Sequence, residues 1–370
     1  MNVTHIINQL NPGGMEIFLL KICEKISDEP DIKQTIITLN DNNALIRALK
    51  HKPCYQIIEL SSRVNPLTKF LLLLKIIKTI NPSIIHTISH EANFYGMLAS
   101  FFFRSNLIWN IRNSTLRVSG RLNKILLRLL AYSSYYFPKK IILVSNLAVQ
   151  SYSNYGFSRK KMQYIPNGYD LKILKRNKAK GDSLKNSLGI SKDAIIIGSA
   201  ARFDFYKDHN FFVEVINYVN SISNKNIHFV LAGLNIDTNN QQLTNTIRQN
   251  QNVHLLGHIE NMSSFYSSLD IFCLHSRSEG FPNVLVESMC FECVPISRKV
   301  GAAPEILKDV GFCIDSIDYV EFAEKVIEVS GMSKNARRLI GKKSRDIVSQ
   351  KWKLDTITEK YIELFKKFEK

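Results

Sequence analysis

Short apolar runs recur along this chain, and between them apolar positions return every three or four residues. The runs read as strands buried on both faces, and the longer stretches as helices lying over them. In the first half the runs fall at 3–7, 34–39, 56–60, 83–86, 107–110 and 140–144, with 163–165 closing the series. Helical spacing fills the gaps, most clearly over 17–26, 66–80, 91–103 and 121–137. A second series follows at 194–199, 228–232, 253–256, 271–274, 294–297 and 312–314, again with helices between. Strands alternating with helices predict parallel sheets covered on both faces. Residues 171–192, rich in Lys, Asn, Ser and Gly, read as the linker between the two series. The pattern therefore predicts an α/β fold of two facing, doubly wound, Rossmann-like domains with an interdomain cleft, one over 1–170 and one over 193–351.

Composition changes this picture little, and charge changes it more. At 370 residues the chain has room for two domains. The apolar run at 71–74 comes closest to a membrane span, but Lys75 and Lys78 interrupt its continuation, and a span needs about 20 apolar residues. Met1 to Ile7 shows no basic region ahead of an apolar one, so no signal peptide and a cytoplasmic location are expected. Of the six cysteines only Cys290 and Cys293 are close, and without a second pair they read as filler. Residues 1–180 hold 26 Lys+Arg against 9 Asp+Glu, while the remainder is balanced. That asymmetry favours an anionic partner for the first half, either nucleic acid or an anionic bilayer. The helices over 121–137 and 66–80 combine basic residues with apolar and aromatic ones. Such a helix either rests on a bilayer or turns its apolar stripe to the core.

Candidate chemistry gathers in 276–305. The run 271–274 ends in a turn broken by Gly280 and Pro282, after which Asn283 reads as the N-cap of a helix. Strand, turn and helix start make an anion site, because the first N–H groups of a helix lack internal partners. The backbone of Asn283, Val284 and Leu285 lies at that start. Glu279 sits in the turn and Glu287 about one turn into the helix. Two carboxylates beside an anion site suit a molecule with a phosphate and two sets of hydroxyls, such as a nucleotide-sugar.

Two glutamates at this spacing, filled by Gly280, Phe281, Pro282 and Asn283 and followed by Gly301, Pro304 and Glu305, resemble the signature of the retaining glycosyltransferases of family 4, which have the GT-B architecture. Phe291, Glu292 and Cys293 depart from that family's small residue and Gly before the next Pro. The resemblance extends to Arg202 and Lys207, which follow the run 194–199. A guanidinium grips phosphate oxygens bidentately and an ammonium acts as a point charge, so the pair can converge on a diphosphate; two solvated surface charges are the plainer reading. It also covers the loop with Gly13, Gly14 and Glu16, where a Gly pair lets backbone approach a diphosphate or an acceptor. Of His86 and His90, the resemblance puts a histidine of this loop near donor sugar and acceptor, and His90 is the candidate. Arg112 binds an acceptor phosphate or forms a structural ion pair; Arg117 and Arg121 are weaker candidates. The phrase Ile165 to Gly168 recurs in the family before the hinge, and the resemblance sends the last helix, in 352–370, back to the first domain.

The resemblance implies a retaining sugar transfer from a nucleoside-diphosphate donor, most simply a UDP-sugar. The acceptor would be a saccharide or lipid-linked saccharide of a bacterial surface polysaccharide such as a capsule or lipopolysaccharide. Glu279 would hold the donor sugar, Glu287 the ribose, and Arg202 and Lys207 the leaving diphosphate. No cofactor and no fixed metal are implied, and the sequence has no Asp-x-Asp pair. An anionic membrane surface, at the cytoplasmic face of the inner membrane, is the expected partner of the basic half. A sugar-nucleotide epimerase or hydrolase of the same fold would not need that charge. A non-catalytic nucleic-acid-binding protein would leave Glu279 and Glu287 without a role, so nucleic acid is not expected as a partner.

Overall fold

The structure is a computed structural model and describes residues 1–11, 13–48, 54–112, 116, 120–247, 250–315 and 317–369. It divides into two compact units, Met1–Gly168 with Leu354–Lys370, and Tyr169–Lys353. The first is built on β1 (Asn2–Ile7), β2 (Lys33–Thr38), β3 (Gln56–Glu59), β4 (Ile84–Ile88), β5 (Asn106–Ile111), β6 (Lys140–Leu143) and β7 (Met162–Tyr164), in the spatial order 3-2-1-4-5-6-7. The second is built on β8 (Ile195–Ala200), β9 (Ile227–Ala232), β10 (Val253–Leu255), β11 (Ile271–Leu274), β12 (Val294–Arg298) and β13 (Phe312–Ile314), in the order 10-9-8-11-12-13. Every ladder in both sheets is parallel. In each unit the order reverses once, between β1 and β4 and between β8 and β11. Open α/β sheets bind ligands at the C-terminal strand ends beside such a reversal.

Alternation along the strands divides the first unit's core. Ile6, Ile85, Leu107 and Trp109 point to one side, where they meet the helices Pro66–Ile80, His90–Phe102 and Arg121–Ser133. Val3, Ile84 and Ile108 point to the other, where they meet Gly14–Ile26 and the last helix, Leu354–Lys367. Gly168 is needed at the unit's edge, since a Cβ there would lie 2.8 Å from Leu354 Cα.

The stretch expected to be a linker is not one. Residues Lys178–Ser187 are a helix, capped by the Asn177 side chain, which accepts from Lys180 N–H at 3.1 Å. It presses into the second unit at Gly181, where a Cβ would meet the Ser267 carbonyl at 2.5 Å. Lys and Ser on its exposed face gave it the composition of a loop.

A polar row crosses the otherwise apolar face beneath the last helix. Asn110 Nδ2 contacts His86 Nε2 at 3.1 Å, His86 Nδ1 meets His5 Nδ1 at 2.9 Å, and His5 Nε2 meets Gln34 Oε1 at 3.3 Å. One neutral arrangement satisfies every contact. The Asn110 amide donates to His86 Nε2, the His86 Nδ1–H donates to His5 Nδ1, and the His5 Nε2–H donates to Gln34. A further proton on either ring would set two N–H groups against each other or against the amide. Burial pushes His5 down to about 4, against a partial lift from the Gln34 hydrogen bond. Burial, then the His5 and Arg112 charges, holds His86 well below the usual histidine range. In the unfolded chain both rings take up protons near pH 6.5, so stability is full above that value and falls as pH drops toward 4. Unfolding in urea should show a loss of about 3 kcal/mol across this window from His5 alone. His5→Gln should flatten the dependence.

Candidate active site

In the second unit, the loop leaving β8 is organised by Asp204. Its Oδ1 accepts the backbone N–H groups of Tyr206 and Lys207 at 2.8 and 3.1 Å, and its Oδ2 accepts Arg202 Nε at 2.6 Å. Burial alone would raise this carboxyl, yet the Arg202 hydrogen bond and the loop amides bring it below its ordinary value. Lys207 Nζ reaches across to Glu279 Oε1 at 2.6 Å, and the same oxygen accepts Ser276 Oγ at 2.6 Å. The Glu279 side chain is only 10% exposed, so this ion pair is largely withdrawn from solvent. Arg202, by contrast, is 70% exposed and turned to Asp204. The loops after β8 and β11 thus bring Lys207 and Glu279 together, and leave Arg202 on the surface beside them.

The turn holding Glu279 is shaped from below. Gly301 sits at φ +52, where side chains are strained, and a Cβ there would lie 2.5 Å from both the Glu279 and Gly280 carbonyl oxygens. The next amide, Ala302 N–H, donates to Gly280 at 2.9 Å. The helix that follows is Asn283–Cys290 with Pro282 at the N-cap, so Asn283 is not the cap expected from sequence. Pro282 holds the extended backbone of the cap position, and the Asn283 side chain instead accepts from Tyr169 OH at 2.7 Å. Leu285 is buried and its N–H closes onto the Pro282 carbonyl at 3.1 Å. Glu287 accepts from Tyr266 OH at 3.0 Å. Burial, and then the Glu287 charge, raises the Tyr266 phenol well above its usual range, so it remains a donor.

In the first unit the candidates lie after β1, β4 and β5. Gly13 is extended and precedes the helix Gly14–Ile26. Glu16 folds back over Gly13, and burial raises its carboxyl against a partial offset from its own amide. His90 opens the helix after β4, with Nε2 2.9 Å from Tyr152 OH, and burial pushes it down to about 4. It is therefore a neutral imidazole at physiological pH. His86, by contrast, belongs to the buried row beneath the last helix. Asn8 ties the two loops together, donating to Glu91 Oε2 and accepting from Ser89 Oγ, both at 2.6 Å. Ser89 holds φ 102 and ψ 162, a region otherwise reserved for glycine. Arg112 lies 4.2 Å over the Phe18 ring and donates to Tyr361 OH at 3.3 Å. Arg121 is exposed, and Arg117 lies outside the described residues. Asn8, Ser89, Tyr266 and Ser276 have no signal in the sequence, since single polar residues at loop ends carry no spacing that marks them.

Two reversals of strand order, each in its own all-parallel sheet, are the topology of the two-domain GT-B architecture. The chain belongs to glycosyltransferase family 4: the model described as Glycosyltransferase Family 4 matches residues 12–173, and that of glycosyl transferases group 1 matches 181–346. The capsular polysaccharide biosynthesis glycosyltransferase CapH of Staphylococcus aureus is 24% identical over 336 residues, covering 86% of this chain and 87% of its own. A Campylobacter jejuni enzyme, N,N'-diacetylbacillosaminyl-diphospho-undecaprenol alpha-1,3-N-acetylgalactosaminyltransferase, is 26% identical over 81% of this chain and 82% of its own. The crystal structure of Anabaena Alr3699/HepE in complex with UDP superposes with a TM-score of 0.86 at 18% identity, over 99% of this chain and 100% of that one.

The two faces of Gly301 can be separated by experiment. Gly301→Ala should cost about 1–3 kcal/mol in urea unfolding, from backbone strain plus displacement of the Glu279 turn. Gly189→Ala, at φ +68 but with nothing within 4 Å of the added Cβ, should cost less than Gly301→Ala, about 1–2 kcal/mol from the left-handed backbone alone.

Proposed function

We propose that this enzyme transfers a sugar from a UDP-sugar to a lipid-diphosphate-linked saccharide during surface polysaccharide assembly, with retention of anomeric configuration. The observation that carries the reading is the ion pair of Lys207 and Glu279, held at the ends of β8 and β11 beside the start of the helix Asn283–Cys290. The leaving group is a nucleoside diphosphate, so the chemical task is to stabilise the negative charge that grows on it. Lys207 and Arg202 supply cations for that charge, with the helix start at Asn283, Val284 and Leu285 adding its dipole. Glu279 holds hydroxyls of the donor sugar and steadies positive charge at the anomeric carbon. Glu287, oriented by Tyr266, holds the ribose hydroxyls. In this reading Gly13, Gly14 and Glu16 shape a loop against the diphosphate or the acceptor, His90 offers a neutral hydrogen-bonding ring, and Arg112 meets an acceptor phosphate. The UDP complex of the Anabaena protein and the undecaprenol-linked acceptor in the Campylobacter enzyme's name support the choice of donor and acceptor.

An anionic bilayer, at the cytoplasmic face of the inner membrane, is the proposed surface on which this happens. Among the described residues no helix is long and apolar enough to cross a membrane. The helix Arg121–Ser133, however, carries two apolar stripes. Leu127, Leu130 and Ala131 face the core, while Leu122, Ile125, Leu129, Tyr132 and, beyond its end, Tyr136 are exposed, Leu122 to 81%. Arg121, Lys124 and Arg128 interleave with the outward stripe and are also exposed. An outward apolar stripe among cations suits anionic lipid. A second copy of the chain would bring the same positive charges against them.

Incubation with UDP-, GDP- and ADP-sugars should release UDP slowly from one UDP-sugar. Glu279→Ala and Arg202→Ala should each lower that release, Glu279→Ala by about 100-fold or more. Release unchanged in Glu279→Ala would overturn the site assignment. Flotation with vesicles containing phosphatidylglycerol should recover the protein, and with phosphatidylcholine alone should not. Ile125→Glu with Tyr132→Glu should abolish flotation while leaving donor hydrolysis intact.

A further inference from the structure

Lys207 and Glu279 are not placed by their own ion pair alone. The loops that carry them are zipped together on both sides of it. Ahead of Lys207, the Tyr206 carbonyl accepts Arg277 N–H at 2.8 Å. Behind it, the Arg277 guanidinium grips the Asp208 carboxylate with two bonds, Nε to Oδ2 at 2.8 Å and Nη2 to Oδ1 at 2.9 Å. A third loop joins at the same carboxylate: Arg298, at the end of β12, donates from Nη1 to Asp208 Oδ2 at 2.9 Å and to the His275 carbonyl at 3.2 Å. Asp208 is 6% exposed and Arg298 10%, so that arm of the junction is buried, while the Arg277 side chain is 46% exposed. Each guanidinium is also backed by a ring, Arg277 by Phe205 at 4.5 Å and Arg298 by Phe211 at 4.3 Å.

Asp208 stands at φ 55 and ψ 51, a left-handed conformation that glycine adopts freely and a side chain does not. It caps the next helix without any side-chain cap bond, so its carboxylate is spent on the two arginines rather than on the helix. A residue strained in its backbone and saturated in its side chain is held by what surrounds it. Here the surroundings are the loops after β8, β11 and β12.

We propose that Asp208 is a positioning residue: through Arg277 and Arg298 it fixes the ammonium of Lys207 and the turn of Glu279 in the geometry that receives the donor diphosphate. The inference rests on the reading of Lys207 as a diphosphate ligand. Asp208 itself touches no substrate in this account, and its effect passes through Lys207.

A double-mutant cycle on UDP affinity, measured by calorimetry, reads that coupling directly. Asp208→Asn keeps the residue's shape and its tolerance of a left-handed backbone while removing the charge. It should weaken UDP by about 10-fold in the otherwise native enzyme and by less than about 2-fold in a Lys207→Met background. Equal losses in both backgrounds would mean that Asp208 serves stability alone, and would overturn the proposal. Asp208→Gly removes the backbone strain together with the carboxylate. It should weaken UDP as much as Asp208→Asn does, at a thermal midpoint no lower than that variant's; native affinity in this variant would also overturn the proposal. A native enzyme that binds none of UDP, GDP and ADP removes the donor-site reading, and this inference with it. Binding with additive losses removes only the inference.

Discussion

Parallel pairing of β1 with β4, and of β8 with β11, places the ends of neighbouring strands side by side while the chain leaves them in opposite directions across the sheet. Helices cover both faces of the first sheet, so polar side chains at such a reversal find open space only at the strand ends. The candidate residues obey that constraint. Gly13, Gly14 and His90 follow β1 and β4, while Arg202, Lys207 and Glu279 follow β8 and β11. The residues that shape these ends obey it too: Asn8 and Ser89 join one pair of loops, and Arg277 and Asp208 join the other.

Electrostatics at the second of these ends is an exchange rather than a simple attraction. Each cation proposed for the diphosphate already has a carboxylate partner, Arg202 with Asp204 and Lys207 with Glu279. The two pairs differ in what an incoming phosphate would meet. Arg202 is mostly solvated, and exposed pairs of this kind are worth about 1 kcal/mol or less, so its partner is easily left. Lys207 and Glu279 are largely withdrawn from water, and an ammonium there cannot be left unpaired without a desolvation penalty. A donor that brings a diphosphate for Lys207 and hydroxyls for Glu279 satisfies both at once. Free inorganic phosphate brings only the first.

The strand pattern was legible because period-two and period-three-to-four signals survive in single sequences. The runs at 3–7, 107–110 and 271–274 match β1, β5 and β11 to within a residue or two at each end. What sequence could not resolve was local competition. Asn283 suits a cap by residue type, yet Pro282 holds the cap position in extended backbone and the Asn283 side chain accepts from Tyr169 instead. Residues 178–187 looked like a loop because composition is blind to which face is buried. The same blindness left the stripe over 121–137 undecided, since a sequence cannot say that Leu127 and Leu130 face inward while Leu122 and Ile125 face out. Strain is less visible still: nothing in the letters marks Ser89 or Asp208 as holding a positive φ.

The row from Asn110 through His86 and His5 to Gln34 has one permitted order of protons. Direction in such a row is set by its ends, an amide N–H at one and a carbonyl oxygen at the other. A substitution at any single member that swaps donor for acceptor leaves a neighbouring ring without a mate in the protein interior. These four positions, drawn from β1, β2, β4 and β5, therefore form one heritable character: across descendants of this chain they should be replaced as a set, by an apolar row or by another complete relay, and seldom one at a time.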